Sequence, residues 1–157
     1  MRRGVVSAIA GSVNPMAEAL KLRTFMFALA IVRFCRLLRE TWEGRELSDQ
    51  LFRAGTRIGA NYRAACRARS HPDFVNKIGH VVEEADEAVY WLELIHEDGF
   101  CKAPGLDALR REAAELSAIF NQSQLTAKSN SPWRRPSPGP ARPPGGPKPS
   151  PKSPISR

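Results

Sequence analysis

From Leu47 to Ala65 the apolar residues Leu47, Leu51, Ala54, Ile58, Tyr62 and Ala65 recur at three- and four-residue steps, the spacing of one side of an α-helix. At about 100° per residue, Arg53, Arg57, Arg63 and Arg67 fall within roughly a third of the circumference, nearly opposite that seam. A second seam follows: Phe74, Ile78, Val81, Val82, Ala85, Val89, Leu92 and Ile95, with Glu83, Glu84, Asp86, Glu87, Glu93 and Glu97 on its polar side. The stretch Leu47 to Leu94 therefore predicts two antiparallel amphipathic helices of opposite charge. Ser70-His71-Pro72-Asp73 between them is a helix start signal, with the cap at Ser70 or His71, proline in the first turn and an acid at the positive dipole end.

The same pattern extends to both sides. A helix is predicted over about Ala17 to Thr41, and it carries two stripes: Leu22, Phe25, Met26, Leu29 and Val32 on one side, Phe27, Ile31, Phe34 and Leu38 nearly opposite. It does not read as a membrane span, because Arg33 and Arg36 interrupt it and its longest uncharged run, Thr24 to Val32, is nine residues against the ~20 a bilayer needs. A helix apolar on two faces is buried on two faces, so it is either central in the fold or faces another subunit. Trp42-Glu43-Gly44-Arg45 reads as the turn that follows, with Gly44 free to adopt a left-handed conformation. The second helix is then expected over about Glu46 to Arg69, where Gly55, Gly59 and Cys66 form a strip of small residues suited to a closely packed neighbouring backbone. The third helix runs to about Glu97, with Tyr90, Trp91 and Leu94 as an apolar patch opposite its main seam. Asp98 to Ala103 is the next turn, and a fourth helix over about Pro104 to Ala127 is seamed by Leu109, Ala113, Leu116 and Phe120. Four helices with short links predict an all-α, antiparallel up-down-up-down four-helix bundle over 16–128.

Composition sets the boundaries. Ten of the 13 prolines follow Ser129, mixed with Ser, Gly, Lys and Arg and no acidic residue, a composition that cannot bury enough apolar surface to fold. The segments 1–15 and 129–157 therefore read as a disordered N-terminal extension and a disordered basic, proline-rich tail. The tail is suited to an anionic surface or a proline-reading domain, or is simply solvated. Met16 is an alternative start to Met1, and the opening Met-Arg-Arg run resembles a signal peptide only faintly. The formal charge of +8 belongs to these ends, since all 16 acidic residues lie between Glu18 and Glu115.

Little here argues for catalysis. Cys35, Cys66 and Cys101 are few and scattered, as in a reduced cytoplasmic protein, and no CxxC or Cys/His cluster suggests zinc. Glu93-Leu94-Ile95-His96 matches the Glu-x-x-His element of di-iron bundles, but the second such element that site needs is missing. His80 with Glu83 and Glu84 lacks a nearby nucleophile, and Ala54 to Gly59 lacks the Walker pattern. The expectation is no enzyme, cofactor, metal or small-molecule substrate. Arg53, Arg57, Arg63 and Arg67 remain the candidate binding residues: they can follow phosphates of RNA or DNA, or they can pair with the acidic third helix of the same or a neighbouring chain.

The run Gln50-Leu51-Phe52-Arg53-Ala54-Gly55-Thr56-Arg57-Ile58-Gly59-Ala60-Asn61-Tyr62-Arg63-Ala64, with Ser70, Phe74, Glu83 to Ala88 and Tyr90 to Leu94, resembles the bacterial four-helix-bundle proteins of the 23S ribosomal RNA intervening-sequence family. The resemblance spans about Leu22 to Thr126. Phe52 stands where members carry a second arginine, and Tyr62-Arg63-Ala64-Ala65 replaces their Ile-Ala-Glu-Gly. The resemblance implies a homopentamer of bundles without an established catalytic role. It extends to accessory proteins of diversity-generating retroelements, which bind a reverse transcriptase and its RNA. It also fits a two-faced first helix, so Phe27, Ile31 and Phe34, with Tyr90, Trp91 and Leu94, are the expected oligomer contacts. The reading is an oligomeric scaffold that recruits a protein or nucleic-acid partner, the alternative being an RNA-binding reverse-transcriptase accessory.

Overall fold

The computed structural model describes residues 14–99 and 103–130, which form four helices: α1 (Pro15–Cys35), α2 (Trp42–Ala65), α3 (His71–Glu97) and α4 (Leu106–Ser129). The expected extension and tail lie outside the described residues, except that Asn14, Pro15, Ser129 and Asn130 are placed and Pro15 and Ser129 are helical. Asn14 caps α1, its Oδ1 accepting from the Met16 and Ala17 amides at 3.0 and 3.4 Å. Ser70 caps α3 by accepting from the Asp73 amide, and Asp73 accepts in turn from the Arg69 amide. α4 opens after Gly105, at φ 98°, rather than at Pro104.

The first turn lies earlier than the sequence suggests. α1 ends at Cys35, and the Leu37 and Leu38 amides donate three residues back to Phe34 and Cys35. Thr41, not a left-handed Gly44, sets the junction: its Oγ1 accepts from the Gly44 amide at 3.1 Å, so Gly44 sits buried inside the first turn of α2.

Contacts between helices fix their directions. Gly59 faces Thr24 and Gly55 faces Ile31, while Ser48 Oγ donates to the Cys35 carbonyl at 3.2 Å, so α2 runs against α1. His71 Nε2 donates to the Ala127 carbonyl at 2.8 Å, Ser117 Oγ donates to Asp86, and His96 lies 3.6 Å from Asp107, so α4 runs against α3. α1 and α4 also pair antiparallel, through Arg23 and Glu112 and with Leu20 beside Ile119 and Ser123, which leaves α2 against α3. Each helix packs on its neighbours in the order α1, α2, α3, α4, and the α1–α4 seam is the least extensive.

The core follows the predicted seams. Leu51, Ala54, Ile58, Ile78, Val81, Ala85, Leu92, Ile95, Leu116 and Phe120 are buried, with the Tyr62 and Phe120 rings 5.2 Å apart. The small strip performs its expected role only in part: Gly55 and Gly59 admit α1 closely, whereas Cys66 is exposed.

Candidate assembly and binding surfaces

The two stripes of α1 have unequal fates. Phe27, Ile31 and Phe34, expected at a subunit contact, are only 3%, 0% and 4% exposed and belong to the bundle's own core. The stripe left outside is the other one, with Leu22 62%, Phe25 49% and Met26 53% exposed. The physical reason is the fit of Ile31 and Thr24 into the cleft at Gly55 and Gly59, which turns the Phe27 stripe inward and the Phe25 stripe to solvent. Phe52 of α2, Leu37 and Trp42 add further exposed apolar area, so most of the large exposed hydrophobic side chains lie on α1, the α1–α2 turn and the first half of α2.

Beside this face the α1–α4 seam stands partly open. Arg23 clamps it: Nε and Nη2 donate to the two carboxylate oxygens of Glu112 at 2.7 and 2.8 Å, and Nη2 also reaches Glu115. These hydrogen bonds hold the guanidinium more firmly protonated than an ordinary arginine. On one side of the clamp a groove of about 600 Å³ is walled by Met26, Ala30, Phe34, Leu37 and Leu109; on the other lies one of about 470 Å³, walled by Met16, Leu20, Tyr62 and Ile119. The clamp joins residues 89 positions apart, and no local pattern announces it.

All four candidate arginines are exposed, and their contacts differ. Arg63 leans toward α1, its guanidinium carbon 5.7 Å from the Phe25 ring centroid, a cation–π contact at the edge of the apolar face. Arg57 leans toward α3 and meets Glu84 at 3.4 Å, the intrachain pairing with the acidic helix that its charge allows. Among the described residues Arg53 and Arg67 have no ion-pair partner. The stripe is thus a divided surface, tied to a different neighbour on each flank.

Glu84 is the one member of the His80 group turned inward. His80 pairs with Glu83 at 3.2 Å on the open surface, whereas one carboxylate oxygen of Glu84 is buried without a hydrogen-bond partner. Burial pushes the Glu84 carboxyl above its ordinary value, opposed by Arg57. The folded chain therefore binds that proton more tightly than the unfolded chain. The resulting stabilisation is full below the ordinary value of 4.5 and is lost as pH rises through the raised value. Glu84→Gln should remove this component: the difference in urea midpoint between wild type and variant is expected to change between neutral pH and pH 4.5, in the sense of wild type gaining on acidification. A difference that stays constant over that range would refute the assignment.

Tyr90 and Leu94 are exposed on α3, and Trp91 is half-buried against the core, its Nε1 donating to Glu87 at 3.1 Å. Tyr90 and Trp91 meet edge to face with centroids 4.9 Å apart. α3 is diagonal to α1 in the bundle, so this patch and the α1 face point in different directions. Glu93 and His96 are both exposed, with His96 beside Asp107 rather than in the core. Among the described residues no group of three His, Cys, Asp or Glu is placed to hold a metal ion. Cys35 is buried, its thiol pushed up to about 11 by desolvation and therefore protonated at neutral pH. No helix among the described residues is long and apolar enough to cross a membrane.

A search of curated proteins finds no match. Among solved structures, a protein of unknown function from the S23 ribosomal protein family of Bacteroides thetaiotaomicron VPI-5482 is 29% identical, with a TM-score of 0.63 over 69% of this chain and 97% of that one. Residues 20–122, which take in the α1 face, the arginines and the α3 patch, match the family described as 23S rRNA-intervening sequence protein. With that match over well more than half its length, the chain belongs to the 23S rRNA-intervening sequence protein family.

Proposed function

We propose that the protein is a non-enzymatic homo-oligomeric scaffold which assembles through the outer face of α1 and recruits a protein or nucleic-acid partner through exposed arginines. The observation that carries this is the contiguous exposure of Leu22, Phe25 and Met26, flanked by an apolar groove. Apolar area of this kind on one side of a small domain marks an interaction surface. A closed ring of more than two subunits needs two different complementary surfaces on each chain. The α1 face and the Tyr90–Leu94 patch, on diagonal helices, supply such a pair. A pentamer is the ring that the family resemblance favours.

Light scattering coupled to size exclusion tests the reading. The expected mass is five times the 17.4-kDa chain at micromolar concentration. A clean monomer would overturn the scaffold, and another multiple would overturn only the pentamer.

A further inference from the structure

The exposed apolar faces of α1 and α3 differ in charge. At about 100° per residue, the outward arc of α1 holds Leu22, Phe25 and Met26 and then, towards its C-terminal end, Arg33 and Arg36, all exposed. The one acid of α1, Glu18, is bound to Lys21 at 2.6 Å, and Arg63 leans in from α2 over Phe25. The outward arc of α3 is centred on Tyr90 and Leu94, and its charged residues are Glu83, Asp86, Glu87, Glu93 and Glu97, all exposed. Lys77, the only Lys or Arg in α3, is bound to Asp73 at 2.7 Å near the start of the helix. Among the described residues Arg33, Arg36, Glu93 and Glu97 have no ion-pair partner.

These charges select among the ways two copies can meet. α1 against α1 sets arginines facing arginines, α3 against α3 sets carboxylates facing carboxylates, and like charges across an interface oppose binding. α1 against α3 joins opposite charges around two apolar centres. The α1–α4 groove is the concave member of that pair, lined by Met26, Ala30, Phe34, Leu37 and Leu109 with Arg33 at its edge. Tyr90 and Leu94, exposed one turn apart, are the convex member.

We infer that α3 of a second copy is the occupant of this groove, its Tyr90 and Leu94 against Met26, Ala30 and Leu37, and its Glu93 and Glu97 against Arg33 and Arg36. This rests on the scaffold reading and adds to it the occupant and the means of its selection. The apolar centre supplies the affinity, and the charged rim decides which face is accepted. The contact is head to tail, so each copy offers its groove to one neighbour and its α3 to another.

The test is light scattering coupled to size exclusion on charge-reversed chains. Arg33→Glu/Arg36→Glu and Glu93→Lys/Glu97→Lys should each weaken association at least ~100-fold, because each sets like charges facing one another. All four changes in one chain restore opposite charges with the signs exchanged, and that variant should regain the wild-type mass. The recovery separates pairing from loss of fold, since two further substitutions do not repair a misfolded chain. Arg33→Gln/Arg36→Gln, which removes attraction without adding repulsion, should weaken association by roughly 10-fold and reduce its salt dependence. An assembling wild type whose mass and affinity survive both reversals overturns the inference and leaves the scaffold reading in place. The inference is overturned as well if the four changes together assemble no better than either pair. A monomeric wild type overturns both readings. If that monomer takes up phosphatidylserine vesicles and loses them with Arg33→Glu/Arg36→Glu, the α1 face belongs to a bilayer and not to a second copy.

Discussion

Ile31→Ala is expected to lower folding stability by about 2–5 kcal/mol, and the loss should shrink when Gly55→Ala is present. Ile31 is fully buried, and a Cβ built on Gly55 would lie 2.8 and 2.9 Å from its two γ-carbons. A β-branched side chain locked at χ1 cannot swing away from such a contact. Overpacking of this kind costs about 1–3 kcal/mol, against about 1 kcal/mol gained by alanine over glycine in a helix. Gly55→Ala alone should therefore be mildly destabilising. In the Ile31→Ala background the clash is gone, the added methyl occupies part of the cavity, and Gly55→Ala should stabilise, giving a coupling of about 1–3 kcal/mol. Gly59→Ala is the contrast: its Cβ would meet Thr24 Oγ1 at 3.4 Å, ordinary contact, so helix propensity should decide and the change be neutral or favourable. Urea unfolding of the four chains, repeated at several protein concentrations to separate folding from assembly, measures the cycle. Additive effects at Ile31 and Gly55 would show that the two helices do not meet as described.

That cycle also bears on what was legible beforehand. Seams over Leu51 to Ala65 and Ile78 to Ile95 were readable because each has one apolar side and one strongly charged side. α1 offered two apolar sides, and periodicity alone does not say which turns inward. The deciding signal is Arg33 and Arg36: at about 100° per residue they share the face of Leu22 and Met26, while the Phe27, Ile31, Phe34 side carries a single charge, Arg23, at its edge. The Gly55–Gly59 strip was legible as a site of close approach, but its occupant, Ile31 and Thr24 of α1, is a tertiary fact. The misplaced first turn came from weighing Gly44 as a helix stop over Thr41 as a helix start. Arg23 with Glu112 and Glu115 had no sequence signature, since the partners meet only after the chain has closed on itself. The four arginines were legible as an exposed set, and their division between Phe25 and Glu84 was not, because it depends on which helix stands on each flank of α2.

Leu22→Lys/Met26→Glu should dissolve the assembly while leaving the fold intact. Both side chains are more than half exposed in the single chain, so in a monomer the new charges stay hydrated and stability should change by only about 0.5 kcal/mol. The pair is opposite in sign one turn apart, so net charge is unchanged and a general electrostatic effect is removed from the comparison. In an interface each lost apolar side chain forfeits about 1.5–3 kcal/mol of burial, before the desolvation of two ions is counted. Association should weaken by about 10²–10⁴-fold or more, at 1.4 kcal/mol per tenfold. Tyr90→Lys/Leu94→Glu, made on the α3 patch, then distinguishes a ring from a simple dimer. If subunits join head to tail, α1 face against α3 patch, either double variant alone is monomeric. Mixing the two restores one good contact, the α3 patch of the first variant against the α1 face of the second, and gives a one-to-one heterodimer that grows no further. If instead two α1 faces meet each other, the α3 variant assembles by itself and mixing adds nothing. Light scattering on the two variants and their mixture therefore tests whether the exposed stripe of α1 and the diagonal aromatic patch are two halves of one interface.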